Sequence, residues 1–214
     1  MSADSRSNED LLDAARNGDE GALAVLVERH RDRLERMVWL RMDRRLQGRV
    51  DPADVVQEAY LAVRGKFAHC ISDPRLPFFL WLRLEVGQKL VEVHRFHLKT
   101  QMRDAGQEVS LHRGALPQVT SLSLAEHLLG KLTSASHAAM RAELKLRVEE
   151  ALNSMAPHDR EVLILRHFEE LSIAEAAQVL GIKPSAAGNR YMRALKRLKE
   201  VFRGMPGGIE GIWG

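Results

Sequence analysis

The sequence predicts an all-α protein of two small helical domains joined by a linker, the C-terminal one containing a helix-turn-helix. Three observations predict this fold class. Apolar residues recur at three- and four-residue spacing along most of the chain. Aromatic residues make up only 5% of it, and few stretches show the alternation typical of a half-buried strand. A length of 214 residues allows one large domain or two small ones.

The composition restricts the class of protein. Hydrophobic residues make up 45% of the chain and charged residues 29%, which is typical of a folded soluble protein. The isoelectric point of about 9.2 makes an acidic partner worth considering. The single cysteine, Cys70, excludes a disulfide within one chain and fits a reducing compartment. With a polar, acidic N-terminus and no apolar run long enough to span a bilayer, the sequence predicts a cytoplasmic protein without membrane contact.

The first domain is expected to span residues 1–103 and to contain four helices. Residues 9 to 46 form two of them, interrupted near "RNGDEGA", with Asp19 as N-cap of the second. Asp51 is suited to cap a third helix, in which Pro52 fits the first position. The fourth, "FFLWLRLEVGQKLVEVHRFHLK", is apolar over much of its circumference, which predicts deep burial.

A polar stretch rich in Gly, Ser and Pro follows and predicts a linker over residues 104–136. A weaker helical segment, "SLAEHLLGKL", lies within this connection. The second domain is placed at residues 137–203, and the Gly-rich residues 204–214 are expected to form a flexible tail.

The second domain carries the clearest local signals. Ser172 and Glu175 form the S-x-x-E pattern of a capping box, which starts a helix. Gly181 suits the left-handed position that ends this helix, and Pro184 suits the first turn of the next. A short helix, a tight turn and a longer helix together predict a helix-turn-helix.

The longer helix separates an apolar stripe from a polar side. The stripe comprises Ala187, Tyr191, Ala194, Leu195, Leu198 and Phe202, whereas Ser185, Asn189, Arg193 and Lys196 lie away from it. Residues 183 to 203 contain seven Lys or Arg and a single acidic residue, Glu200. The capping signals, the turn and this charge bias together favour DNA binding over an ordinary solvated basic face.

Three segments in order resemble the compact bacterial sigma factors of the extracytoplasmic-function group. "DPADVVQEAYLAV" is similar to the family's helix that docks on core RNA polymerase, and "WLRLEVGQKLVEVHR" to its helix over the promoter −10 element. "LNSMAPHDREVLILRHFEELSIAEAAQVLGI" with "NRYMRALKRL" is similar to its −35-recognising domain. The resemblance covers about residues 9 to 202. It implies a promoter-specificity subunit that performs no bond chemistry.

The resemblance also implies three sets of site residues. The polymerase-binding residues are Asp54, Gln57, Glu58 and Leu61. The residues for −10 DNA are Arg83, Gln88, Lys89, Arg95 and Lys99. The residues for −35 DNA are Pro184, Ser185, Gly188, Asn189, Arg190, Arg193, Lys196 and Arg197. The implied partners are core RNA polymerase and promoter DNA, with one copy of the chain per polymerase. An anti-sigma factor remains open as a further partner.

The sequence departs from the family pattern in two places. Gln88 and Glu92 stand where the family usually has Asn and Asp. Ala186, Ala187 and Gly188 stand where longer side chains are common. Short side chains let the helix N-terminus approach a phosphate closely. Base contacts would then come from Ser185 and Asn189, with Arg190 or Arg193 as a further candidate.

Two other functions compete with this interpretation. A free-standing helix-turn-helix regulator would bind paired half-sites as a dimer, but the first domain shows no obvious dimer seam. His69 with Cys70, and His94 with His97, are imaginable zinc ligands, although such scattered residues are more often structural. No catalytic motif is present, so we expect no enzyme activity, no metal and no cofactor. The aromatic side chains of Phe78, Phe79 and Trp81 are expected in the core rather than stacked on bases.

Overall fold

The computed structural model describes residues 6–64, 67, 76–98, 116–130 and 138–203. Within these residues the chain is helical apart from turns and one short bridge between Gln47 and Val50. The chain divides into two compact units, Met1–Gln118 and Val119–Gly214. The all-α fold class is therefore confirmed.

The first unit contains four of the described helices. They are α1 (Asn8–Arg16), α2 (Glu20–Arg41), α3 (Pro52–Arg64) and α4 (Phe78–Leu98). The long α2 packs against the other three, and α3 packs against α4. Leu26 and Leu34 of α2, Val55 of α3 and Leu82 and Leu90 of α4 are buried between them. Burying these apolar side chains is the main favourable contribution to folding of the unit.

Side-chain caps fix where three of these helices begin. The Asp19 carboxylate accepts a hydrogen bond from the Ala22 N–H at 3.0 Å, and that of Asp51 accepts one from the Ala53 N–H at 2.9 Å. Both acceptors satisfy amides that have no partner inside the helix, which confirms the two predicted caps. Ser7 and Asp10 also form a capping box at α1, which was not predicted from the sequence.

Aromatic side chains of the first unit pack together in a cluster. The ring centroid of Trp81 lies 5.5 Å from that of Phe67 and 5.9 Å from that of Phe78. Trp81 and Phe79 are only 5% and 6% exposed, while Phe78 is half-buried. Trp81 and Phe79 are therefore core residues, as expected, and their rings are not accessible to DNA bases.

Residues 116–118 return to the first unit. The buried Arg41 side chain donates a hydrogen bond to the Pro117 carbonyl at 3.1 Å. Leu116 packs so closely on Gly87 of α4 that a Cβ at this position would overlap the leucine side chain. The boundary between the units at Gln118 thus falls inside the predicted linker 104–136, whose later part contributes a helix to the second unit.

The second unit contains α5 (Ser121–Gly130), α6 (Ala138–Asn153), α7 (Pro157–His167), α8 (Ile173–Leu180) and α9 (Pro184–Phe202). The long α9 packs against α6, α7 and α8. Polar contacts attach α5: Arg160 of α7 donates to the Ser121 hydroxyl at 2.6 Å, and Lys145 of α6 pairs with Glu126 at 2.6 Å. The second unit therefore begins at Val119, before the predicted domain start at residue 137.

None of the helices in the described ranges combines the length and the continuous apolar character that crossing a membrane requires.

Candidate functional site

Helices α8 and α9 form the predicted helix-turn-helix. The Ser172 hydroxyl accepts from the Glu175 N–H at 3.1 Å, and the Glu175 carboxylate accepts from the Ser172 N–H at 2.7 Å. Gly181 ends α8 with a φ of +63°, a left-handed conformation that glycine adopts without steric cost. Pro184 then opens α9 as its first residue. The capping box and the turn therefore orient α9 as the sequence predicted.

The two sides of α9 separate core from solvent. Ala187, Ala194 and Leu198 are buried, and Tyr191 and Leu195 are half-buried. The predicted DNA-binding residues on the other side are exposed, namely Pro184, Ser185, Asn189, Arg193, Lys196 and Arg197. The orientation expected from helical spacing is confirmed, so this side offers a largely polar and basic surface, on which the apolar Met192 is also exposed.

The first turns of α9 have no capping side chain and have free space at Gly188. No side-chain hydrogen bond caps the helix at Lys183, so its first amide donors are not satisfied by a capping group. A Cβ added at Gly188 would meet nothing within 4 Å. Packing therefore does not require glycine at this position. The space beside it is consistent with either close approach of a ligand or a missing side chain.

One predicted DNA contact is engaged within the protein. The Arg193 guanidinium makes two hydrogen bonds to the Asp159 carboxylate of α7, at 2.8 and 3.0 Å. These bonds raise the pKa of Arg193, and they draw its side chain toward α7 although it is largely exposed. Sequence reasoning missed this pair because the partners lie 34 positions apart and no local pattern connects them. The two N–H groups that bind Asp159 must leave it before those same groups can contact DNA.

Arg190 lies at the edge of the core. It is half-buried, and one terminal nitrogen of its guanidinium is buried without a hydrogen-bond partner among the described residues. The next residue, Tyr191, is fixed to α7 by its hydroxyl, which lies 2.8 Å from Nε2 of His167. A buried unpaired donor costs free energy, so rotation of Arg190 toward an acceptor such as a phosphate would relieve that cost.

The acidic side of α3 forms a second candidate surface. Asp54, Gln57 and Glu58 are exposed, and Leu61 is 53% exposed. Val55, Val56, Ala59 and Val63 are buried on the opposite side. An exposed leucine beside two carboxylates is suited to contact with a basic protein surface that also has apolar groups.

Helix α4 presents fewer of its predicted DNA-binding residues. Gln88 and Arg95 are exposed, whereas Lys99 lies outside the described residues. Arg83 is only 2% exposed, and a phosphate contact from it is not compatible with this burial. The physical reason is helical spacing, since Arg83 shares one side of α4 with the buried Phe79 and Val86. The prediction for Arg83 is corrected accordingly.

Lys89 connects α4 to the acidic surface. Its Nζ lies 2.9 Å from a carboxylate oxygen of Glu58 on α3 and 3.5 Å from one of Glu92 on its own helix. The hydrogen bond to Glu58 is the main cause that raises the pKa of Lys89, and the negative charges of Glu58 and Glu92 raise it further. The predicted −10 contact and the predicted polymerase contact therefore meet in one ion pair, which the sequence alone did not indicate.

The histidines of α4 have structural contacts. Nε2 of His94 accepts a hydrogen bond from the Asp43 N–H at 3.2 Å, and burial lowers the pKa of His94. The His97 ring stands edge-on to Phe96 at 5.0 Å. His69 and Cys70 lie outside the described residues, and the described part of the chain contains no cluster of three or more potential metal-ligating side chains.

Comparisons with known proteins agree with this geometry. Residues 145–198 match the family model described as Sigma-70, region 4. The chain is 23% identical to the RNA polymerase sigma factor CarQ of Myxococcus xanthus over 194 residues, which covers 89% of this chain and 95% of CarQ. It is 39% identical to the RNA polymerase sigma-E factor of Streptomyces antibioticus over 51 residues, covering 24% of this chain and 28% of that factor.

A solved structure shares the fold. The chain is similar to CnrH in the structure of CnrH in complex with the cytosolic domain of CnrY, with a TM-score of 0.52 and 24% sequence identity. The similarity covers 93% of this chain and 99% of that one. Residues 145–198 are a sigma-70 region 4 domain, and over most of its length the chain is similar to an RNA polymerase sigma factor.

Proposed function

We propose that the chain binds core RNA polymerase and directs it to promoters that carry a −10 and a −35 element. The observation that carries this proposal is the exposed basic side of α9, on a helix-turn-helix inside the region 4 match at residues 145–198. Homology over most of the chain to a named sigma factor supports the same role for the whole protein. The role requires binding only, and it belongs in the cytoplasm, where polymerase and promoter DNA are found.

Region 4 would contact the −35 element through α9. Asn189 is exposed one turn after Ser185, and its amide can pair with the donor and acceptor of an adenine edge. Lys196 and Arg197 are exposed two turns further along the helix, where they would hold phosphates. The open space at Gly188 and the uncapped start of α9 favour a close approach of the DNA backbone to this end.

The first unit would supply the other two contacts. Asp54, Gln57, Glu58 and Leu61 would dock on polymerase, because they form the exposed acidic side of α3. Gln88, Arg95 and Lys89 would contact the −10 element, with Lys89 released from its carboxylates. An anti-sigma factor that covers one of these surfaces remains part of the proposal, on the strength of the family resemblance.

Charge reversal on α3 tests polymerase docking. We expect the variant Asp54→Lys with Glu58→Lys to lose binding to core polymerase in a pull-down while keeping its helical content. The matched control reverses two exposed charges elsewhere in the first unit, Glu9→Lys with Asp32→Lys, and should bind like the wild type. Undiminished binding by the folded α3 variant would exclude this docking surface.

A symmetric footprint tests the competing function. A free-standing regulator would protect paired half-sites on DNA without polymerase. We expect instead that sequence-selective protection depends on the presence of core polymerase.

A further inference from the structure

Lys89 occupies a position between the two surfaces of the first unit. Its ammonium bridges Glu58 on α3 and Glu92 on α4, at 2.9 and 3.5 Å. Glu58 is one of the residues proposed to dock on polymerase, and Lys89 one of those proposed to contact DNA. In the unbound chain, the Glu58 carboxylate proposed for polymerase docking is therefore paired with the Lys89 ammonium proposed for DNA contact.

We propose that this cluster couples polymerase docking to DNA contact. In the unbound chain, Glu58 and Glu92 hold Lys89 away from DNA. When α3 docks, basic groups of polymerase pair with Glu58, and Lys89 becomes available to a DNA phosphate. The inference rests on the proposed function, and it adds a mechanism by which DNA contact through α4 is favoured once polymerase is bound.

The exposure of the three side chains suits a reversible contact. The Lys89, Glu58 and Glu92 side chains are 26%, 56% and 65% exposed, so neither carboxylate is committed to the core. Ion pairs this close to solvent are weak, and they can be exchanged for other partners at little cost. Replacing one carboxylate should therefore change DNA affinity by about 1.5- to 5-fold, as expected for an exposed pair.

The coupling must act in both directions. If docking at α3 strengthens DNA binding through Lys89, DNA binding must strengthen docking by the same factor, because the two equilibria share one thermodynamic cycle. A lysine that merely stabilises the packing of α3 on α4 would produce no such effect.

The test measures binding of the full-length chain to fluorescein-labelled oligo-dT by fluorescence anisotropy. We expect Glu58→Gln and Glu92→Gln each to tighten binding by about 1.5- to 5-fold. Asp54→Asn removes the same charge one turn before Glu58, and should give a smaller gain. In a Lys89→Met background, Glu58→Gln and Glu92→Gln should give no more than the Asp54→Asn gain. Contributions from α9 are equal in all variants and cancel.

A second arm repeats the measurement with core polymerase. The gain from Glu58→Gln should disappear in the complex, because polymerase already pairs with this carboxylate, whereas the gain from Glu92→Gln should remain. Gains that are equal with Lys or Met at position 89, or a Glu58→Gln gain that persists in the complex, would overturn the inference. Failure of the wild-type chain to bind core polymerase would instead overturn the proposed function, whatever the Lys89 variants do.

Discussion

The two helices proposed to contact DNA use their surfaces differently. Helix α9 is amphipathic, and it keeps its core side apart from a polar side on which Asn189, Lys196 and Arg197 are exposed. Helix α4 is apolar around much of its circumference, so that even Arg83 is buried. Its Lys89 is held by two carboxylates. In α9, helical periodicity identifies the residues that can contact DNA. In α4, packing makes Arg83 and Lys89 less available to DNA than their charge alone would suggest.

The largest effect should come from the core side of α4. Trp81→Ala is expected to lower the free energy of unfolding by about 3–5 kcal/mol, because it empties a buried aromatic site. Phe96→Ala on the same helix is the matched control. Phe96 is 78% exposed, so its loss should change stability by no more than about 0.5 kcal/mol. Urea denaturation of both variants checks the contrast, and equal losses would contradict the assigned orientation of α4.

The polar side of α9 should instead affect DNA affinity. Asn189→Ala is expected to weaken binding to the preferred −35 sequence by about 1–3 kcal/mol and to relax selectivity at one position. Lys196→Ala should weaken binding to all sequences alike and reduce the slope of affinity against salt by about one. Titrations with a set of −35 variants at several salt concentrations distinguish the two. A uniform loss in Asn189→Ala would show that this residue does not select a base.

The next effect concerns the short side chains of α9. Gly188→Ala should raise the free energy of unfolding by up to about 1 kcal/mol, because glycine is unfavourable in a helix and the added Cβ has room. Gly188→Lys should gain similar stability. It should nevertheless lower promoter-specific transcription if DNA approaches the backbone closely here. Measuring transcription beside non-specific DNA affinity decides this point, since increased selective transcription would indicate only a missing side chain.

The smallest effect should be a pH dependence in the first unit. Burial lowers the pKa of His94 from 6.5, so its contribution to stability is present above that pH and is lost as the pH falls toward the lowered pKa. The hydrogen bond to Arg45 is the main cause that lowers the pKa of Asp43 from 3.8 to about 2. The stability that Asp43 contributes is therefore lost as the pH falls from 3.8 to about 2. Urea denaturation at about pH 7.5 and about pH 5.5 should show weaker stability at the lower value. His94→Gln should reduce this difference, whereas His97→Gln, which removes an exposed imidazole, should preserve it.

Local signals made much of the fold predictable. The capping box at Ser172, the left-handed Gly181 and the caps at Asp19 and Asp51 each depend on residues a few positions apart, and all are present. The exposed side of α9 followed from spacing alone. The burial of Arg83 could also have been inferred, because it lies four residues after Phe79 and three before Val86.

Long-range contacts were not predictable in the same way. Arg193 pairs with Asp159 across 34 positions, and Lys89 pairs with Glu58 across the gap between two helices. Lys89 and Arg193 were both expected to contact DNA, because each is positively charged and lies on a helix proposed to bind DNA. A partner on another helix depends on the packing of the whole unit, which no local pattern encodes.

Transcription in vitro is the decisive test of the proposed function as a promoter-specificity subunit. Core RNA polymerase from the same organism is given a genomic DNA library, with and without the chain, and the transcript start sites are mapped. We expect start sites that require the chain and share two sequence elements upstream, centred near −10 and −35. We also expect Asp54→Lys with Glu58→Lys to abolish these start sites. Start sites identical to those of core polymerase alone, together with a symmetric footprint of the chain on DNA without polymerase, would contradict the proposed function.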